Sequence, residues 1–232
     1  GTAESLTVNT GSGAVLFSET VGNLDALGAI SINSTGATTF TKAVDAASLT
    51  TNAGGTVVVK GGRITTSGAQ SYGENLILDN AAHATVLNTT NSAVTFTGTV
   101  NNQTVGTAES LTVNAGSGAV LFFETLGSLD ALGAISVNST GATTFTKAVD
   151  AASLTTNAGG TVVIQGGRIT TTGAQSYGDD VVLTRSTTLD ASALTFGDTL
   201  MGDNLAAHDL TIVARSGHAT FNAAVGDALA PI

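Results

Sequence analysis

The chain has 232 residues with 29 Gly, one Pro, no Cys and no Trp; its 17 acids against 7 bases leave a net charge of −10. So few and scattered Lys and Arg exclude binding to nucleic acid by phosphate neutralisation and speak against an anionic membrane surface. The absence of Cys excludes a disulfide framework and thiolate metal sites. No apolar run nears the roughly 18 residues of a membrane helix, so apolar residues fall in bursts between Gly, Ser, Thr and Asn, the pattern of short strands joined by turns.

In chain order the bursts alternate between two kinds. LTVN (6–9) precedes GAVLF (13–17), ISIN (30–33) precedes GATTF (36–40), and LTTN (49–52) precedes GTVVV (55–59). NLILD (75–79) and SAVTF (92–96) follow. The series then restarts with LTVN (111–114) and GAVLF (118–122), ISVN (135–138) and GATTF (141–145), LTTN (154–157) and GTVVI (160–164). SALTF (192–196) and GHATF (217–221) close it. Period-2 alternation points Leu6, Val8, Ile30, Ile32, Leu76 and Leu78 inward, with Thr7, Ser31 and Ile77 outward. Asn9, Asn33, Asn52, Asn114, Asn138 and Asn157 close the first strand of each pair, where an Asn amide can hydrogen-bond along a stack and Gly follows in the turn.

Behind the short pattern lies a long one. Residues 106–177 repeat residues 1–72 with differences at eight positions only: 10, 18, 21, 23, 32, 59, 60 and 67 against partners 105 further on. The Phe-type positions Phe17, Phe40, Val59, Phe96 and Phe122 are separated by 23, 19, 37 and 26 residues. The gap of 37 holds one hidden step, which predicts about five coils averaging about 21 residues and a single column of those five side chains. The fold expected is all-β: a right-handed parallel β-solenoid, continuous over 1–232, in which no coil buries its apolar face alone. Its units are 1–105, 106–191 and a diverged 192–232. An antiparallel sandwich is the rival, but it accounts for neither the period near 20 nor the lack of two-residue hairpin turns. Both ends of the chain fall in mid-repeat, DALAPI (227–232) resembling DALGAI (130–135), so it reads as a segment of something longer with open ends that invite end-to-end association.

Candidate chemistry is sparse. GSG (11–13, 116–118) lacks the Lys and helix of a phosphate loop and reads as a turn. His83, His208 and His218 lack metal-ligand spacing. Asp179, Asp180 and Asp203 do not follow the calcium nonapeptide pattern. Glu4, Glu19, Asp25 and Asp45 recur as Glu109, Glu124, Asp130 and Asp150; copied acids mark a repeating surface better than one catalytic cleft. Lys42 with Asp45, and Lys147 with Asp150, look like solvated pairs. Thr7, Ser31 and Thr50 line up outward, with Ile77 expected to break a file of one hydroxyl per coil, too narrow for the double array an ice-binding face requires. Asn33, Asn88, Asn102 and Asn138 head glycosylation sequons. No catalytic residue, metal or cofactor is expected.

LTVNAGSGAVLF (111–122), TTTGAQSYG (170–178) and SAVTFTGTVNN (92–102) resemble the repeats of large bacterial exoproteins, the filamentous-haemagglutinin-like and autotransporter-type adhesins. The resemblance implies a β-helical rod exported to the cell surface as a stalk or adhesive fibre. Its partners would be host or neighbouring cells, glycans or copies of itself, through end-to-end or lateral association. A carbohydrate-binding or polysaccharide-cleaving β-helix is the alternative. Oriented films of the chain should diffract at about 4.8 Å along the rod axis; a reflection at that spacing lying across the axis would refute the solenoid.

Overall fold

The computed structural model describes residues 3–80, 82 and 84–226. His83, Pro231 and the DALAPI segment lie outside them. The described residues form twenty-six strands, from β1 (Leu6–Gly11) to β26 (Ala219–Phe221), and no helix. Every ladder between them is parallel. The fold is a β-solenoid of about ten coils, each coil giving one strand or bridge to each of three faces.

The first face runs in register from Leu6 through Ile30, Leu49, Gln70, Val94, Val120, Thr143, Val162 and Val181 to Leu200. On the second, Phe17, Phe40, Val59, Leu78 and Asn102 are stacked. Single bridges at Leu126 and Val149 then lead that face on to Ile169, Leu189 and Ile212. The third begins at Val21 and passes through Val44, Ile64, Leu87, Val113, Val137, Thr156, Tyr177 and Phe196 to Phe221. Long strands such as Val44–Thr51 turn a corner and pair on two faces at once.

The inward–outward alternation holds. Ile30, Ile32, Leu76 and Leu78 are buried, Ile77 faces out, and Leu6 and Val8 are half-buried only because they lie on the first coil. The single Phe column does not hold. Phe17, Phe40 and Val59 share the second face, whereas Phe96 and Phe122 stand on the first with Tyr72 and Phe145. The reason is a count. From Leu6 to its copy Leu111 the chain lays down fourteen strand positions, and fourteen on a three-faced rod is four and two-thirds coils. Each copy is therefore turned back by one face.

The stretch from 192 onward follows the same rule. LTIVARSGHATF (210–221) answers LTVNAGSGAVLF (111–122) at a distance of 99 residues, yet again fourteen strand positions separate them. The shortening is absorbed in connecting loops. The motif LT stands on the first face at Leu6, the third at Leu111 and the second at Leu210.

Aromatic stacking displays the rotation. Phe17 lies on Phe40 on the second face at 5.0 Å. Tyr72, Phe96, Phe122 and Phe145 stack on the first at 4.7–5.3 Å, their planes within 7°. Tyr177, Phe196 and Phe221 stack on the third. Equivalent positions of parallel strands are about 4.8 Å apart, so rings in one rotamer must lie nearly parallel, each contact adding about 0.5–1.5 kcal/mol beyond burial.

The corners use polar groups. Asn33 donates to Asn9 at 2.8 Å, Asn114 to Asn88 and Asn138 to Asn114 at 2.7 Å, forming the amide stack foreseen. Asn52 and Asn157 leave it and accept from the Ser34 and Ser139 amides. At Gly61 and Gly166 the coils meet backbone to backbone: a Cβ there would lie 2.1 Å from Lys42 and 2.0 Å from Lys147. Gly166→Ala should therefore cost about 1–3 kcal/mol. Phe122→Ala, fully buried between two rings, should cost about 3–5 kcal/mol in denaturant titration, and Phe17→Ala, half-buried on the first coil, distinctly less.

Candidate functional surface

Because strands alternate, each face shows one file of outward side chains, and each copy carries the same files to new faces. A hydroxyl file, Thr7, Ser31, Thr50, Ser71 and Thr95, runs down the first face. It reappears as Thr112, Ser136, Thr155, Ser176, Thr195 and Thr220 on the third. This file is longer than expected, because Ile77 stands on the second face and does not interrupt it.

An aliphatic file, Leu16, Thr39, Val58 and Ile77, occupies the second face. In the next copy it becomes Leu121, Thr144, Val163, Val182 and Met201 on the first, directly below Thr95, with Val182 and Met201 themselves buried.

The remaining file is charged. Asp45 does not pair with Lys42; the Arg63 guanidinium from the next coil grips both its oxygens at 2.6 and 2.7 Å and also donates to Thr65. Arg168 does the same to Asp150, with Thr170. These fork-like bonds are strong for surface pairs, but Asp45 faces out on the third face and Asp150 on the second. Duplicated acids thus diverge in space. Glu4, Glu19, Asp25 and Glu124 are exposed, Glu109 is buried, and Asp130 accepts the Gly106 amide. Asp203 accepts the Leu205 amide, which holds its carboxyl below the usual range, and it pairs with His208 at 3.0 Å. His218 is exposed, and Gly11 and Gly116 turn GSG corners at φ +60°. Among the described residues, no three acids or histidines converge as metal ligands would.

The sequon amides are engaged. Asn102 is buried, donating to the Ala131 carbonyl at 3.0 Å and accepting from the Glu109 amide. The Asn33, Asn88 and Asn138 amides donate to Asn9, Thr65 and Asn114.

Two buried polar features have no counterpart in the sequence reading. Gln70 and Tyr72 sit inside the rod, with the Tyr72 hydroxyl donating to Gln70 Oε1 at 2.9 Å while the Gln70 amide donates to the Ile64 and Asn88 carbonyls. Gln175 and Tyr177 repeat this. Burial pushes both phenols up. The period-2 frame of AQSYG, with only Ser outward, was the available signal.

The second feature is a pair of equivalent acids. Glu74 is 3% exposed and Asp179 1%, each beneath a Gly-Gly turn of the preceding coil. Asp179 accepts the Gly160 amide at 2.8 Å. Neither Glu74 oxygen has a hydrogen bond of normal geometry. Loss of solvation raises the Glu74 carboxyl to about 7, while the nearby Thr51 hydroxyl and Gly55 amide pull it back in part. Loss of solvation also raises Asp179.

Two shallow grooves of about 250 Å³ each follow equivalent corners. Ala26, Ala46, Ser67 and Thr90 line one; Ala108, Ala131, Ala152 and Thr172 line the other. The fold and surface together define a three-faced parallel β-solenoid with rotating stripes. Compared with known proteins, the chain matches no family model, no curated protein and no solved structure.

Glu74 predicts a direction for pH dependence. The folded state holds the Glu74 proton more tightly than the unfolded chain, so the Glu74 contribution to stability is fully present below about 4.5 and is lost as pH rises through about 7. Glu74→Gln should flatten melting temperature against pH across that window; an unchanged slope would refute the assignment.

Proposed function

We propose that this chain is a length of structural and adhesive shaft from a large secreted or cell-surface protein, extending a rod and contacting cell surfaces, glycans or copies of itself. The observation that carries this reading is the seamless copy. Fourteen strand positions are added, the core columns continue across the junction, and equivalent side chains reappear on another face. Duplication in this geometry conserves length and surface chemistry but not the relative position of any two outward groups in different copies. Extension tolerates that loss, whereas a catalytic cleft built from several coils does not. An acidic, polar exterior over an unbroken core suits a solvated extracellular rod.

The two grooves, one walled by the hydroxyls of Thr65, Thr66, Ser67 and Thr90 and the other carrying Thr172, each with an Asp at its edge, favour a second reading as a carbohydrate-binding surface. At about 250 Å³ each they are smaller than common small-molecule sites of roughly 300–1,000 Å³, and they suit contact along a chain better than enclosure of a single sugar.

Removing residues 73–177 joins Tyr72 to Gly178 in an unchanged local sequence. The shortened chain should fold, melt cooperatively, and be shorter by about 22 Å in small-angle scattering, at ~4.8 Å per coil. An unfolded product would overturn the spacer reading. Release of reducing ends from acidic polysaccharides by the intact chain would replace it with an enzyme.

A further inference from the structure

Between residues 1–72 and 106–177 the copy kept the surface chemistry except in one file. Six of the eight differences exchange small polar or aliphatic residues for one another. The other two, Ser18 against Phe123 and Lys60 against Gln165, change the kind of side chain. Backbone hydrogen bonds put both in the same file. The amides of Thr41, Lys60 and Asp79 bond to the Phe17, Phe40 and Val59 carbonyls of the preceding coil, which orders Ser18, Thr41, Lys60 and Asp79 along one corner. In the second copy the amides of Phe123, Thr146, Gln165 and Thr184 bond likewise to Phe96, Phe122, Phe145 and Ile164, which orders Thr97, Phe123, Thr146, Gln165 and Thr184. Asp79 answers Thr184 at the same distance of 105 residues. The Lys60–Asp79 ion pair of the first copy, at 2.9 Å, is thus replaced as a pair, and the second file carries no charge from Thr97 to Thr184. Phe123 is 48% exposed, whereas every other phenylalanine of the chain lies in one of the ring stacks. Among the described residues, nothing engages the Thr97 and Thr146 hydroxyls or the Gln165 side-chain amide.

We infer that this corner of the second copy binds a neutral glycan chain laid along the rod, with Phe123 as the platform for one sugar ring and Thr97, Thr146 and Gln165 as its hydrogen-bonding neighbours. The strip rests on the glycan contact proposed for the shaft, but it stands apart from the two grooves, none of whose lining residues belongs to this file. A pyranose is amphipathic: its axial C–H groups make an apolar face and its hydroxyls make the rim. The negative face of an aromatic ring receives those C–H groups, and hydroxyls with a primary amide offer the rim both donors and acceptors. Coil spacing of ~4.8 Å sets a polar side chain on either side of the ring along the axis. Glu124 and Lys147, both exposed, border the file one residue further on and balance each other, so neither an acidic nor a basic ligand is favoured. Size decides against a protein. Five rungs make a strip about 19 Å long and only one or two side chains wide, whereas a stable protein pair buries roughly 800 Å² per partner. A sugar chain is narrow enough for such a strip, and repetition along a longer rod makes weak sites effective.

Retention of the intact chain on immobilised oligosaccharides tests the strip. Neutral chains of glucose, galactose, mannose and N-acetylglucosamine serve as probes, with sialylated and uronate chains as charged comparators. Unmodified chain should be held by at least one neutral probe, and less by the charged ones. Phe123→Ser and Gln165→Lys restore what the first copy carries at the same corner, so the fold accommodates both. Phe123→Ser should weaken retention at least tenfold with an unchanged melting temperature, and Gln165→Lys should weaken it several-fold. Ser18→Phe with Lys60→Gln and Asp79→Thr rebuilds the strip in the first copy and should strengthen retention on a dense surface. No retention on any neutral probe, or retention indifferent to Phe123→Ser, overturns the inference. Retention that survives Phe123→Ser but falls with Thr172→Arg belongs to a groove and overturns it too. Self-association that Phe123→Ser abolishes, with no glycan bound, makes the corner a protein contact instead. None of these results alters the shortening expected on removal of 73–177, so failure here is distinct from failure of the shaft reading.

Discussion

Parallel stacking at about 4.8 Å is the constraint on which everything else depends. A residue in this rod has an equivalent directly above and below it, so each choice of side chain is made for a column. Apolar columns fuse into one core, and rings lie flat on rings because neighbouring strands repeat both spacing and rotamer. Asn amides chain together for the same reason. Where the column has no room, as at Gly61 against Lys42, only hydrogen fits. A coil's stability is borrowed from its neighbours, which explains why Leu6, Val8 and Phe17 are only partly covered at the first coil while their copies Leu111, Val113 and Phe122 are fully buried.

Fourteen strand positions do not divide among three faces, and this remainder sets the surface. Had the repeat been fifteen positions, copied residues would lie in line and the rod would have one hydroxyl side and one aliphatic side. With fourteen, a face that begins with Thr7 to Thr95 continues with Leu121 to Met201. The core tolerates the change because nearly every strand type contributes at least one apolar inward side chain, so Phe122 stacks on Phe96 as readily as Phe40 on Phe17. Interchangeable interiors and distinct exteriors are what allow a rotated copy to fit. The inner polar groups travel with their own strands: Gln70 and Tyr72 bring their hydrogen bonds with them, and so do Gln175 and Tyr177.

Buried acids are the exception to this economy. Glu74 lies in a site with no full partner, and its equivalent Asp179, one methylene shorter, reaches the Gly160 amide. Enclosing such a group favours its protonated form, which couples the packing of one coil to pH. Asp45, Asp79, Asp150 and Asp190 meet Arg63, Lys60, Arg168 and Arg215 across coils, so these ion pairs act along the axis, whereas Asp203 meets His208 within one loop.

Much of this was legible in the sequence. Alternation in LTVN and NLIL determined which side chains face in, because period 2 is local geometry. The Asn and Gly corners were equally readable, since turn chemistry acts within a few residues. The duplication announced a repeating, non-unique surface. Which column a residue joins was decided only by the tertiary structure. Val21 and Leu126 hold their faces by isolated one-residue bridges, within bends that carry no strand pattern, and 99 and 105 residues yield the same fourteen positions. Phe17 and Phe122 were therefore legible as core and illegible as neighbours, as were Asp45 and its true partner Arg63. A face is assigned by counting every corner before it, and that count depends on how the loops close against the preceding coil, not on any residue taken alone.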